Sequence, residues 1–338
     1  MTATQRLPEP VPFIRANTAY SVPQSAHAIT LALDANEGAV PSARVRDALR
    51  NIAADTLRRY PSKHALESAI AAKFELSAEQ VLVTAGGDDA IDRCCRAMLT
   101  AGRRMIVPVP TFIMIERSAQ LTGAAIDRID WPGMNFPTEA LIDAIDETTG
   151  LIALVSPNNP TGRVVTADDL ERIAAAAQGT MIMLDAAYAE FTDDDLTERA
   201  LSLPNVVVIR TFSKAYGLAG LRLGYALGPA TMINWLRAAG GPYPTGGISL
   251  ALGDIALRDG PDETYLSRVR EERHALAAIL TELGARPIPS EANFVAARFT
   301  SADTVRVALA GRGIAVRGFP RDPVLEDLLR ITGAGAPS

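Results

Sequence analysis

Cysteine is almost missing from this chain of 338 residues: there are two, Cys94 and Cys95, side by side. They fall in a segment of helical pattern, where neighbouring side chains point in different directions, which excludes a stapling disulfide and a paired metal site. Histidine is nearly as scarce, and His27, His64 and His274 are scattered, so no metal cluster is expected. No apolar run approaches the length that crosses a bilayer. The opening residues, Met1-Thr2-Ala3-Thr4-Gln5-Arg6-Leu7-Pro8, lack the apolar stretch of a secretory leader. Lys and Arg make no basic stripe and the net charge is −6, which argues against nucleic acid and anionic membranes as partners. A soluble cytoplasmic protein is the expectation these absences leave.

Apolar residues are plentiful, at 48%, enough for a large core and for more than one compact unit. Strands are predicted over residues 80–84, 104–108, 124–129, 151–156, 181–185, 206–211 and 223–227. Several are apolar throughout, such as Leu151-Ile152-Ala153-Leu154-Val155, as suits strands covered on both faces. Helical patterns over 90–99, 112–121, 138–145 and 167–177 alternate with them. Thr166 reads as the cap of the last, with Asp168 and Asp169 in its first turn. The alternation predicts an α/β fold, a three-layer, mostly parallel sheet between helices, over residues 41–238. A turn-rich stretch from Gly240 to Gly247 introduces a smaller α+β unit over 239–338, with strand-like pieces at 292–298, 314–317 and 329–332. Residues 1–40, which have little periodicity, are expected to wrap onto that smaller unit.

In an open α/β sheet ligands bind beyond the carboxyl ends of the strands, and the polar clusters fall there. They are Thr84-Ala85-Gly86-Gly87-Asp88-Asp89, Pro110-Thr111-Phe112, Ser156 to Gly162, Asp185 to Tyr188, and Thr211-Phe212-Ser213-Lys214. Five neighbouring strand ends should converge on one crevice. Gly86 and Gly87 open a helix whose free N–H groups suit an anion, and Thr211, Ser213 and Arg222 could add two hydroxyls and a guanidinium. Asp185 ends an apolar strand, where an unpaired carboxylate is costly and calls for a cation. Lys214 follows a buried strand, where desolvation favours the neutral, nucleophilic amine. Phe112 offers a flat face for a ring. Phosphate cup, ring-nitrogen partner, stacking face and aldehyde-reactive amine are together what pyridoxal 5'-phosphate requires.

Each piece alone has a duller explanation. Gly86-Gly87 could be a plain strand-to-helix turn, and it is not a dinucleotide fingerprint, because Gly-x-Gly-x-x-Gly is absent. A lone lysine at a strand end is usually solvated, Asp185 could cap a turn, and Phe112 could be core. Order and conjunction carry the functional reading.

The segments Ser156–Gly162 (SPNNPTG), Asp185–Tyr188 (DAAY) and Thr211–Tyr225 (TFSKAYGLAGLRLGY) resemble the signatures of fold-type I, class I/II aminotransferases. Within them the chain resembles the histidinol-phosphate aminotransferases, through Leu33-Asp34-Ala35-Asn36-Glu37, Arg59-Tyr60-Pro61, Val81–Ile91, Pro110-Thr111-Phe112, Glu291–Val295 and Leu329–Thr332. The resemblance implies that Lys214 bonds the cofactor and later moves the substrate proton, and that Asp185 pairs with the ring nitrogen. Asn159 and Tyr188 would meet the ring hydroxyl and Phe112 would stack on the ring. Gly86, Gly87, Asp88, Thr211, Ser213 and Arg222 would hold the phosphate, with Tyr60 reaching it from a second subunit of a homodimer. Arg330, assisted by Arg317, would grip the anionic end of the substrate, and Tyr20 and Asn36 would form walls.

The implied reaction is transfer of an amino group from a small donor, histidinol phosphate or a related amino acid, to 2-oxoglutarate. Two rivals are a decarboxylase of a phosphorylated amino acid such as threonine phosphate, and a non-catalytic cofactor-sensing module. The second would normally carry a DNA-binding domain, for which about forty residues before the core leave little room. The chain departs from the family pattern at Gly38-Ala39, where Asn-Pro is usual, at Ile115 for a frequent Tyr, at Gln24 for a frequent Gly, and in stopping six residues after Thr332. These departures are expected on the substrate side and in the smaller unit.

Overall fold

A computed structural model describes residues 9–16 and 26–333. Near the start lies a short strand, β1 (Leu31–Leu33), which belongs to the smaller of two sheets. The larger sheet takes the next seven: β2 (Val81–Thr84), β3 (Arg104–Val109), β4 (Ala125–Asp130), β5 (Thr149–Val155), β6 (Met181–Asp185), β7 (Val206–Thr211) and β8 (Gly224–Leu227). Their order across the sheet is β2-β8-β7-β6-β5-β3-β4. All pairs from β4 to β7 are parallel, whereas β8 runs antiparallel to both β7 and β2.

Every residue of β5, β6 and β7 is buried. Alternate side chains enter two separate cores, one on each face: Ile152, Leu154, Ile182, Leu184, Val206 and Val208 on one, and Leu151, Ala153, Met181, Met183 and Val207 on the other. Unbroken apolar runs form strands here because helices cover both faces and neither side chain set meets water. The expected three-layer, mostly parallel α/β arrangement is what the chain adopts. Thr166 caps the helix Ala167–Ala176 in a reciprocal pair with Asp169.

One expectation needs correction. The ends of β2 and β7 are not neighbours, because β8 lies between them. No crossover helix separates β7 from β8, only a loop with a single 3-10 turn, Ala219–Leu221, so the chain turns back and runs antiparallel. The first residue of β8, Gly224, therefore sits at the crevice edge rather than its last.

The smaller sheet adds β9 (Arg286–Ile288), β10 (Phe294–Arg298), β11 (Ile314–Gly318) and β12 (Leu328–Thr332), in the order β1-β11-β12-β10-β9. Only β1 and β11 pair in parallel. The helix Glu263–Glu282, about 30 Å long at 1.5 Å per residue, spans both units. Its Tyr265, Leu266 and Val269 enter a core of the large sheet, while Leu276, Ala277 and Leu280 pack beneath the small one. Among the described residues no helix is long and apolar enough to cross a membrane.

Candidate active site

Asp185 is the last residue of β6 and only 6% exposed. Among the described residues its carboxylate accepts one hydrogen bond, from Ala187 N–H at 3.1 Å, and joins no ion pair. Burial pushes its pKa up to about 7, against the Ala187 hydrogen bond, with the Asp88 charge adding to the rise and the Lys214 charge opposing it. A buried acid held this weakly has room for a cationic partner.

Lys214 lies in the turn after β7, half-buried. Its Nζ donates to the Ala35 carbonyl at 3.2 Å and stands 5.8 Å from the centre of the Tyr188 ring. Burial lowers its pKa to about 8; Arg330 and Arg222 act in the same direction, Glu37 and Asp88 against it. An amine so placed is neutral in useful fraction near neutral pH, as nucleophilic attack on a carbonyl requires.

Tyr188 is buried beside them. Its hydroxyl accepts from Asn36 Nδ2 at 3.0 Å, and its ring packs edge-on against Phe294, with centroids 5.3 Å apart. Asn36 is itself 1% exposed and left-handed, φ +53, a conformation Asn tolerates better than most residues. Arg330 of β12 donates to Asn159 Oδ1 at 2.6 Å and to the Asp34 carbonyl at 2.6 Å. The small sheet thus meets the loop after β5 at this point. Arg317 is the cross-strand partner of Arg330 on β11, and its guanidinium lies 5.8 Å from the centre of the Phe319 ring.

The anion cup is built on backbone. The helix Gly86–Met98 starts at Gly86 itself, whose φ is +81 and where a Cβ would come within 2.9 Å of the Arg222 guanidinium. Gly224 lets β8 lie against that helix start, since a Cβ there would meet Gly86 C at 2.7 Å and Gly87 N at 2.9 Å. Asp88 pairs with Arg222 at 3.0 Å, and Arg222 is left-handed, φ +49. Thr211 and Ser213, both buried, place their hydroxyls 3.0 Å apart. Free N–H groups at a helix start, two hydroxyls and a guanidinium are a recipe for phosphate.

Phe112 precedes the helix Ile113–Gln120, half-buried against the core on one face of the sheet. Tyr60 stands apart from this group: its ring is 82% exposed and stacks on Tyr243, centroids 4.6 Å apart. Tyr20 and Gln24 lie outside the described residues. Ile115 is a correction. It is fully buried in a core of the large sheet, on the inner face of its helix, so it lines no substrate wall.

Sequence reasoning passed over three participants. Asn158, 1% exposed, ties the loop after β5 to its neighbour: Thr111 Oγ1 donates to its Oδ1 at 2.9 Å, and its Nδ2 donates to Pro110 O at 2.9 Å and Thr161 Oγ1 at 2.7 Å. Thr332 accepts from Asn36 N–H at 3.1 Å. The Ala35 carbonyl meets Lys214 Nζ. The first two stand inside segments whose pattern drew notice; a backbone carbonyl leaves no mark in sequence.

A group suited to these residues carries an anionic tail, a basic ring nitrogen and an aldehyde. Comparison with known proteins points the same way. The family described as aminotransferase class I and II matches residues 28–338. A histidinol-phosphate aminotransferase of Roseiflexus castenholzii is 35% identical over 316 residues, covering 89% of this chain and 84% of that protein. The crystal structure of histidinol-phosphate aminotransferase from Sinorhizobium meliloti in complex with pyridoxal-5'-phosphate superposes with a TM-score of 0.83 at 26% identity, covering 97% of this chain and 94% of that one. The L-threonine-O-3-phosphate decarboxylase of Porphyromonas gingivalis shares the fold, with a TM-score of 0.77 at 20% identity, covering 89% of this chain and 93% of that one. The chain belongs to the class I and II aminotransferases, enzymes that work with pyridoxal 5'-phosphate.

Proposed function

We propose that this enzyme moves an amino group from a small donor with an anionic end to 2-oxoglutarate, with histidinol phosphate the first donor to test, and that Lys214 is the amine that bonds the cofactor. The observation that carries this reading is the pair formed by Asp185 and Lys214. A buried carboxylate with no ion-pair partner among the described residues lies within the field of a lysine held near pKa 8.

Pyridoxal phosphate, when bound, supplies an electron-poor ring that drains charge from the donor Cα. Asp185 would hold a proton at the ring nitrogen. Asn159 and Tyr188 would bond the ring hydroxyl oxygen and Phe112 would cover a ring face. Gly86, Gly87 and Asp88 with Thr211, Ser213 and Arg222 would hold the phosphate. Lys214 Nζ would be the amine that holds the cofactor and, once free, the base that takes the proton from the donor Cα. Arg330 and Arg317 would receive the donor's anionic end, with Asn36 as a wall. Two guanidiniums on adjacent strands favour a multiply charged anion, in keeping with the phosphorylated donor named for the relatives. The exposed Tyr60–Tyr243 stack supports a homodimer in which Tyr60 reaches the neighbouring subunit's phosphate site.

The experiment is a donor screen with 2-oxoglutarate that records glutamate formed and carbon dioxide released. Glutamate without carbon dioxide, strongest with histidinol phosphate, is expected. Carbon dioxide release without amino transfer would instead establish a decarboxylase.

A further inference from the structure

We propose that Gly38 is a positioning residue for Lys214: the strap of residues 34–39 lies flat on the Lys214 turn because position 38 has no side chain, and this sets the Ala35 carbonyl against the reactive amine. The proposal rests on the assignment of Lys214 above. A Cβ on Gly38 would lie 1.8 Å from the Lys214 carbonyl oxygen and 3.0 Å from Gly217 Cα and N. The contact is reciprocal. A Cβ on Gly217, whose φ is +65, would lie 1.9 Å from the Ala39 carbonyl oxygen. Both obstacles are backbone, so no rotamer change relieves them. Gly217 N–H also donates to the Lys214 carbonyl at 3.0 Å, which keeps that turn tight under the strap.

The other end of the strap is anchored to the small sheet. Asn36 N–H donates to Thr332 Oγ1 at 3.1 Å, the same hydroxyl lies 2.9 Å from Leu33 O, and Arg330 holds Asp34 O at 2.6 Å. Asn293 Nδ2 lies 3.4 Å from Asn36 O. Between these anchors sits the Ala35 carbonyl that accepts from Lys214 Nζ. Asn is usual at this position in the family, so the close seat of the strap is particular to this chain; with the backbone placed as it is here, a side chain at position 38 must lift the strap, draw that carbonyl away and admit water to the amine. The charged groups that face Lys214 are Arg330, Glu37, Asp88 and Arg222, with Asp185 coupled to it. Of these only Glu37 travels with the strap, and its withdrawal opposes the larger effect of rehydration.

The test is capture of pyridoxal phosphate by the cofactor-free full chain, followed by visible absorbance from about pH 6 to about pH 10. The proteins are wild type, Gly38→Ala, Thr332→Val, and Gly133→Ala as a control, where a Cβ meets nothing within 4 Å. Capture needs the neutral amine, so its rate rises through the amine's own titration. Gly38→Ala and Thr332→Val should each move the midpoint up by about one unit, about tenfold slower capture at pH 7, and Gly133→Ala should leave it in place. Lower melting temperatures with unmoved midpoints would mean a purely structural role and overturn the proposal. If Gly38→Ala does not fold, Thr332→Val decides alone. Wild-type protein that captures nothing at Lys214 defeats the assignment of the amine, a separate outcome.

Discussion

Arg330 and Asn159 join the two sheets across the crevice: the guanidinium on β12 donates to the amide oxygen in the loop after β5 at 2.6 Å. The same side chain holds the Asp34 carbonyl, so one residue fixes the small sheet, the strap and the substrate side of the large sheet relative to each other. A planar fork with several donors can do this; an ammonium cannot.

Arg330→Lys should therefore raise KM for an anionic donor by about tenfold to a hundredfold, a loss of about 1.4 to 3 kcal/mol of charge-assisted bonding. The turnover number should fall less. Steady-state kinetics with the best donor of the screen checks this. Equal loss in both parameters would place Arg330 outside donor binding.

Asp185 makes the cofactor-free protein sensitive to pH. Its folded pKa, about 7, stands above the ordinary 3.8, so the folded state holds a proton that the unfolded chain has released. Stability is full below about pH 4 from this group and declines as pH rises toward 7. Asp185→Asn removes that decline. Cofactor-free Asp185→Asn should be more stable than wild type at pH 8 by about 2 to 4 kcal/mol, with the gap closing near pH 4, as denaturant melts would measure. The same variant should lose about a hundredfold to a thousandfold in turnover, because a neutral amide cannot keep the ring nitrogen protonated.

In the proposed homodimer, Tyr60→Ala should leave the subunits paired yet weaken cofactor retention by about tenfold to a hundredfold, the worth of one hydrogen bond to a charged group. Sedimentation and cofactor titration on the same sample separate the two effects. A monomeric wild type would remove Tyr60 from any site.

Much of the large sheet was readable in the residues because its strands are unusually uniform. β6 and β7 run over 181–185 and 206–211 as predicted, since an apolar run covered on both faces has ends marked by polar residues. The helix after β2 starts at Gly86, as the Gly86-Gly87 pair led us to expect, four residues ahead of the apolar pattern; glycine gives no apolar period, and its role there is close approach. β1 and β9, three residues each, are too short to show alternation, and Pro287 in β9 is tolerated because that strand is an edge. The direction of β8 follows from the lack of a crossover helix, which periodicity does not reveal. Within the site, the burial of Asp185 at a strand end and of Lys214 after β7 was legible in the residues, whereas Arg330 was marked only by the family resemblance. The strap was not: its function resides in a carbonyl at Ala35 and a missing side chain at Gly38, and Ile115 points inward because of its phase on a helix rather than its type.

Only three lysines occur in the chain, Lys63, Lys73 and Lys214, and Lys73 donates to Tyr216 Oη at 3.1 Å. Borohydride reduction of the cofactor-loaded protein, followed by peptide mass mapping, therefore reads out the reactive amine without ambiguity. One pyridoxyl group per chain on the peptide containing Lys214 is expected. A label on Lys63 or Lys73, or none on Lys214, would contradict the assignment on which the site depends.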